Sequence, residues 1–256
     1  MADPDDTPAI GSVSWQTIPG GELDLQAFVA EPARPVDGRA LIVLHENPGI
    51  TEWRQRETAR MAADLRWTVV VMNAYSRLDG APPPGPFDTQ DERRRAAFLS
   101  MPDEQVARDL EVTANWVRAR TGGRTPALLG FCSGGGQAIY AVSTRRGLAG
   151  CVVAIYGNIV LRGDLTEDRE PLDRVPLARH IDCPVQLHIG TEDSEIPAKH
   201  VDRLEAELTR AHKTFEIHRY EGAGHVFADE THPNYDAAAT AEMWPQVYAF
   251  LREHVS

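Results

Sequence analysis

The sequence predicts an α/β fold with a mostly parallel central sheet flanked by helices. Two observations carry this expectation. Short, β-branched apolar runs are continuous rather than alternating, and helix-compatible segments lie between them. Continuous runs belong to strands covered on both faces, the situation of parallel strands. Strand and helix signals that alternate along the chain point to the same class.

The strands expected in order are residues 40–45 (A-L-I-V-L-H), 68–72 (T-V-V-V-M), 127–130, 151–156 (C-V-V-A-I-Y), 185–189 (V-Q-L-H-I) and 215–220 (F-E-I-H-R-Y). Helices are expected over 56–65, 103–119, 137–143, 198–211 and 237–252. Within 103–119, Val106, Leu110, Thr113 and Val117 recur at spacings of three and four, which gives one apolar face. Residues 16–30 read as an antiparallel hairpin that turns at Pro19, Gly20 and Gly21. The stretch 80–86 (G-A-P-P-P-G-P) can be neither helix nor central strand, and reads as a surface loop or a wall of the pocket. The acidic segment 164–173 reads as an excursion on the cap side of the sheet. No repeat is present. The expected organisation is a flexible acidic tail over 1–12, then a single domain over 13–256.

Composition narrows the function classes. With 256 residues the chain can bury a substantial core. A formal net charge of -12 argues against nucleic acid, whose phosphates demand clustered Lys and Arg. The acidic start M-A-D-P-D-D lacks a signal peptide's basic and apolar character, and no apolar run approaches the ~18 residues of a membrane span. Three cysteines at no metal-like spacing fit a reduced, cytoplasmic setting.

The chemistry concentrates in residues 128–136, L-L-G-F-C-S-G-G-G. Cys132 sits at the centre of G-x-C-x-G, between an apolar run and a helix-compatible one. That is the layout of a nucleophile elbow, whose glycines let strand and helix approach across a strained turn. A nucleophile there needs a base and a group to orient the base. On such a sheet these follow in the order nucleophile, acid, histidine. Two later loops supply candidates: H-I-G-T-E-D-S-E-I-P after the strand 185–189, and Y-E-G-A-G-H-V-F after 215–220. The second contains His225. In the first, Asp193 competes with Glu192 and Glu195. Cys151 and Cys183 read as small buried hydrophobes, and His188, inside a strand, as satisfied packing. His212, His218, His232 and His254 have no motif around them.

From residue 41 to the last helix the sequence resembles the dienelactone hydrolases, or carboxymethylenebutenolidases, of the α/β-hydrolase fold. The motifs that carry the likeness are G-F-C-S-G-G, G-T-E-D-S-E-I-P and G-A-G-H-V-F. In that family the acid precedes a proline by four residues, as Asp193 precedes Pro197, so the resemblance implies a triad of Cys132, His225 and Asp193. It implies hydrolysis of an enol-lactone or related ester through a thioester, with no metal and no organic cofactor. The segment L-I-V-L-H-E-N-P-G-I matches the one that carries a glutamate, here Glu46, which in the family meets the resting cysteine and helps to form the thiolate. The backbone N–H groups of Asn47 and Ser133 would form the oxyanion hole. H-E-N-P-G lacks the second histidine of H-E-x-x-H, which argues against zinc. The likeness also puts Arg77, in A-Y-S-R-L-D-G, where the family binds the substrate's carboxylate; the plain alternative is a surface arginine paired to Asp79. Arg93–Arg95 read as solvated helix charge.

One departure bears on substrate. Four residues after the histidine the family offers a second carboxylate-binding arginine, and here Asp229 stands there; Val226 replaces the usual serine after the histidine. The expected partner is therefore a small lactone or ester, with a broader carboxylesterase on the same scaffold as the alternative and a non-catalytic binding relative as a more distant one. No nucleic-acid or membrane partner is expected, and the assembly is expected to be a monomer or a small homo-oligomer.

Overall fold

The structure, a computed structural model, describes residues 9–36 and 38–255. An eight-stranded sheet runs in the order β1-β2-β4-β3-β5-β6-β9-β10. The strands are β1 (Ile10–Ile18), β2 (Leu25–Pro32), β3 (Ala40–Leu44), β4 (Thr68–Met72), β5 (Ala127–Phe131), β6 (Val152–Ile155), β9 (Val185–Gly190) and β10 (Phe215–Tyr220). β1 pairs antiparallel with β2, and β2 antiparallel with β4; every pairing from β4 to β10 is parallel. The six expected strands and the hairpin are all present, in the expected class. β1 begins at Ile10, so residues 10–12 of the expected tail lie in a strand, and residues 1–8 lie outside the described residues.

The helices are α1 (Glu52–Leu65), α2 (Gln90–Ser100), α3 (Asp103–Arg120), α4 (Ser133–Thr144), α5 (Ala198–Arg210) and α6 (Ala237–His254). Alternate residues of each central strand feed opposite layers, as the pleat requires. Leu41, Val43, Leu129 and Val153 pack with Met61 of α1 and Val247 of α6, whereas Ile42, Leu44, Leu128 and Val152 pack with Leu110 of α3 and Ile139 of α4. Both faces are covered, which explains why the strands read as unbroken apolar runs. Among the described residues no helix is long and apolar enough to cross a membrane.

α1 and α4 each start four residues before the expectation, and α2 is not among the expected helices. α1 starts four residues before 56 because the Thr51 hydroxyl accepts from the Arg54 N–H at 3.2 Å and caps it. α2 contains Arg93–Arg95 and opens on a capping box: the Thr89 hydroxyl accepts from the Glu92 N–H at 3.1 Å, and the Glu92 carboxylate accepts from the Thr89 N–H at 3.2 Å. The expected excursion is a two-stranded hairpin, β7 (Val160–Leu161) with β8 (Leu172–Asp173). Phe98 of α2 packs there on Leu161 and Leu165. Ionic contacts complete the attachment of α2: Arg162 to Asp91 at 3.2 Å, and Arg94 to Glu195 at 2.6 Å.

The elbow is possible because β5 and α4 nearly touch. A Cβ on Gly130 would lie 2.2 Å from the Gly134 carbonyl oxygen. Gly130→Ala is therefore expected to destabilise the fold by about 3 kcal/mol, a drop of roughly 6–12 °C in the unfolding midpoint for a chain of this size. Thermal unfolding followed by circular dichroism checks it; an unchanged midpoint would mean that the elbow can widen.

Candidate active site

The carboxyl ends of β3, β5, β6, β9 and β10 bring the site together, the edge at which open α/β sheets place their ligands. Cys132 follows β5 directly and caps α4, with φ 50° and ψ −117°. A non-glycine residue held there stores about 1–3 kcal/mol of strain, which its surroundings must over-determine. They do. The Cys132 N–H donates to the Ile155 carbonyl at 3.1 Å. Its own carbonyl accepts from Gly135 at 3.0 Å, Gly136 at 3.3 Å and Asn158 at 3.1 Å. The three glycines that follow each make room for a neighbour. A Cβ on Gly134 would fall 2.7 Å from the Leu44 and His45 carbonyl oxygens, on Gly135 2.7 Å from Gly157 Cα, and on Gly136 2.1 Å from the Asn158 carbonyl oxygen.

Cys132, His225 and Asp193 form one chain of hydrogen bonds. His225 Nε2 lies 3.1 Å from Cys132 Sγ, and His225 Nδ1 lies 2.8 Å from Asp193 Oδ2. The other Asp193 oxygen accepts the N–H groups of Glu195 at 2.9 Å and Ile196 at 3.0 Å, which fixes the carboxylate behind the imidazole. Glu192 and Glu195 take no part in the relay; Glu195 turns to Arg94. Burial alone would push the His225 pKa down, but the Cys132 sulfur in its ionised form and the Asp193 hydrogen bond raise it to about 10. The ring is thus suited to take up and hold a proton released by the sulfur. Tyr156 supports the ring edge-on at a centroid distance of 5.4 Å.

The Glu46–Asn47 peptide is held from two sides. The Glu46 carbonyl accepts the Gly49 N–H at 2.9 Å and lies 2.7 Å from His45 Nδ1. His45 Nε2 accepts the Ala74 N–H at 3.0 Å, so Nδ1 carries the proton and donates to Glu46. Because a trans peptide is planar, fixing that carbonyl fixes the Asn47 N–H in the opposite direction. The Tyr75 hydroxyl then donates to the Asn47 carbonyl at 2.8 Å, and its ring stacks on His45 at 5.2 Å. Neither the Asn47 N–H nor the Ser133 N–H, the latter at the first turn of α4, has a protein acceptor among the described residues. Pro82, from the proline-rich stretch, packs near Gly49 in the same turn, where a Cβ would lie 3.6 Å from Pro82 Cδ. That stretch thus borders the site.

Three expectations meet a different geometry. Glu46 lies beside the elbow, yet both its oxygens accept from Arg54 Nη2, at 3.0 and 2.9 Å, and the Cys132 sulfur instead contacts His225 and Asn158. Arg54 is fully buried and its guanidinium carbon lies 3.5 Å from the Phe131 ring centre and 4.4 Å from that of Trp53. Arg77 pairs neither with Asp79 nor with a triad residue but with Asp109, at 2.9 Å. Asp229 spends its carboxylate on its own loop, where Oδ1 accepts the Thr231 N–H at 2.8 Å and hydroxyl at 2.6 Å. His188 is packing, as expected: its ring bonds the Tyr220 hydroxyl at 2.7 Å and Gln186 at 2.9 Å. His45, Arg54, Tyr75, Tyr156 and Asn158 are additions that motif reading did not supply. The one sequence signal for Asn158 was the third glycine, Gly136, whose missing side chain leaves space for it.

A sequence model described as the dienelactone hydrolase family matches residues 25–255. A candidate carboxymethylenebutenolidase of Yersinia pestis is 30% identical over 242 residues, 93% of this chain and 87% of the relative. The carboxymethylenebutenolidase of Pseudomonas putida is 28% identical over 221 residues, 84% of this chain and 85% of the relative. The crystal structure of a candidate dienelactone hydrolase from Klebsiella pneumoniae superposes with a TM-score of 0.82 at 23% identity, over 96% of this chain and 99% of that one, and supports the fold.

The neutral His45 that orders the Glu46–Asn47 peptide makes the protein acid-labile. Burial lowers its pKa to about 4 from an ordinary 6.5. On acidification the unfolded chain takes up the proton first, so the stability due to the neutral ring is complete above pH 6.5 and is lost as the pH falls through 4, about 3 kcal/mol in all. The unfolding midpoint should fall between pH 7 and 4, and less steeply in His45→Gln. Equal slopes in the two proteins would refute the assignment.

Proposed function

The chain belongs to the dienelactone hydrolase family, and on that premise we propose that it cleaves a lactone or carboxylic ester through a thioester formed on Cys132. The observation that carries this reading is the unbroken relay from Sγ through His225 to Asp193, with contacts of 3.1 and 2.8 Å. His225 Nε2 takes the Cys132 proton, and the thiolate attacks the ester carbonyl carbon. The oxyanion that forms receives the N–H groups of Asn47 and Ser133, each donor worth roughly 3–4 kcal/mol in the transition state. As the carbonyl reforms, the C–O bond breaks and the leaving oxygen takes the proton from His225. In a lactone that oxygen stays tethered to the acyl chain. Water then gives a proton to His225 and attacks the thioester, which releases the carboxylic acid and the thiol. Asp193 holds the tautomer and stabilises the imidazolium in both halves.

We assign the proton transfer to His225 rather than Glu46, because Arg54 occupies both Glu46 oxygens. The steps call on no metal or organic cofactor. Three unpaired thiols suit a reducing compartment, and we infer the cytoplasm.

A specific observation favours the broader-esterase reading over strict recognition of an anionic lactone. Arg77 is already neutralised by Asp109, and an aspartate stands at position 229, so neither place expected to grip a substrate carboxylate offers an unpaired guanidinium. Cys132→Ala should lower hydrolysis of every lactone and ester at least about 10³-fold, in line with loss of a covalent nucleophile; retained hydrolysis would exclude the thioester. Neutral p-nitrophenyl esters should be cleaved faster than anionic lactones, and Arg77→Ala should change the two alike. A loss confined to anionic substrates would restore the carboxylate-binding role of Arg77.

A further inference from the structure

The Cys132 sulfur has a second polar neighbour that the relay does not use: Asn158 Oδ1, at 3.3 Å. The residue comes from the turn after β6 and is buried. Its backbone is pinned on both sides of the Cα. The Asn158 N–H donates to the Cys132 carbonyl at 3.1 Å, and the Asn158 carbonyl accepts from Arg174 Nη1. Arg174 is itself buried and fixed by two contacts of 2.8 Å to Asp103, at the start of α3. Gly136 supplies the space, since any Cβ there would strike the Asn158 carbonyl. Three independent elements thus aim one amide at the reacting sulfur.

The bonding around that sulfur is over-subscribed in a telling way. Nδ1 of a neutral His225 donates to Asp193, so its Nε2 is an acceptor, and Asn158 Oδ1 is an acceptor as well. A thiol has one proton and can satisfy only one of the two. Once the proton is on Nε2 the sulfur is an anion, and a carbonyl oxygen at 3.3 Å would repel it. An amide resolves this without backbone movement, because a half-turn of its terminal group exchanges C=O for NH₂ at the same place.

We propose that Asn158 is a fourth catalytic residue, whose amide accepts the S–H of the resting Cys132 thiol and, turned by half a revolution, donates N–H to the thiolate. The role rests on the Cys132 thioester reading above. The proton moves only between sulfur and Nε2; Asn158 exchanges hydrogen bonds and transfers nothing.

The test reads the thiol itself. Wild type, Asn158→Ala and the isosteric Asn158→Asp are treated with iodoacetamide across pH 5–10 (an experimental range of about five units, wide enough to bracket ordinary cysteine titration), and carbamidomethylation of the Cys132 peptide is followed by mass spectrometry. Cys151 and Cys183 are internal controls, since burial pushes the Cys151 thiol far up and the Cys183 thiol up to about 12. The alkylation midpoint of Cys132 should rise by about one pH unit in Asn158→Ala, the effect of one lost charge-assisted hydrogen bond, and by about two in Asn158→Asp, which puts a carboxylate against the thiolate. On an ester that the wild type cleaves, kcat should fall about tenfold in Asn158→Ala with KM within about twofold, as expected for a group acting on the nucleophile rather than on the substrate. Midpoints within about 0.3 unit of wild type in both variants, far less than one hydrogen bond is worth, would overturn the proposal. The two readings fail separately: hydrolysis that survives Cys132→Ala defeats the thioester, whereas an unmoved alkylation profile defeats only Asn158.

Discussion

The carbonyl oxygen of Cys132 accepts three N–H groups, from Gly135, Gly136 and Asn158, and the rest of the site depends on that convergence. It holds the nucleophile in a backbone conformation that no free cysteine would choose. It also starts α4 directly behind the sulfur, where the helix's unpaired N–H groups face the chemistry. The close approaches of Gly134 to β3 and of Gly135 and Gly136 to the turn after β6 follow from the same geometry. One junction therefore sets the distances among Cys132, the end of β3 and Asn158 at once.

Around this junction the buried charges come in pairs with separate duties. Arg54 neutralises Glu46 next to Asn47, and Arg174 with Asp103 braces the turn that carries Asn158. Breaking either pair would leave a charge stranded in a low-dielectric interior, a penalty of several kcal/mol. Each pair thus works as a positional constraint on a loop that would otherwise be held only by its backbone. The neutral His45 does the same task without charge, because both ring nitrogens are committed to backbone groups.

How far the sequence disclosed this follows from the kind of interaction involved. The sheet and most helices were legible because burial on two faces writes continuous apolar runs and regular helical stripes into the chain. The elbow and the histidine loop were legible because each sets a particular residue at a fixed offset from glycine, whereas the residues left Asp193, Glu192 and Glu195 open and only the family resemblance chose among them. The amphipathic pattern of α2 is weak, so it was missing from the expected helices; its capping box, T-x-x-E, was the local signal that went unread. The environment of Glu46 was hidden, since its partner Arg54 lies eight residues on in a helix whose start depends on a capping threonine. Asn158 and His45 were hidden for a different reason. Their roles exist only through tertiary hydrogen bonds, and an isolated asparagine or histidine has no local pattern to announce them.

The link between Arg94 and Glu195 ties two functions that could have been independent. Glu195 gives its backbone N–H to Asp193 and its carboxylate to Arg94 of α2, so the loop that holds Asp193 and this helix share one residue. A rearrangement of α2 wide enough to admit a bulky molecule must break that ion pair or carry the acid loop with it. The position of α2 and the geometry of the Asp193 loop are, to that extent, a single mechanical variable in this protein.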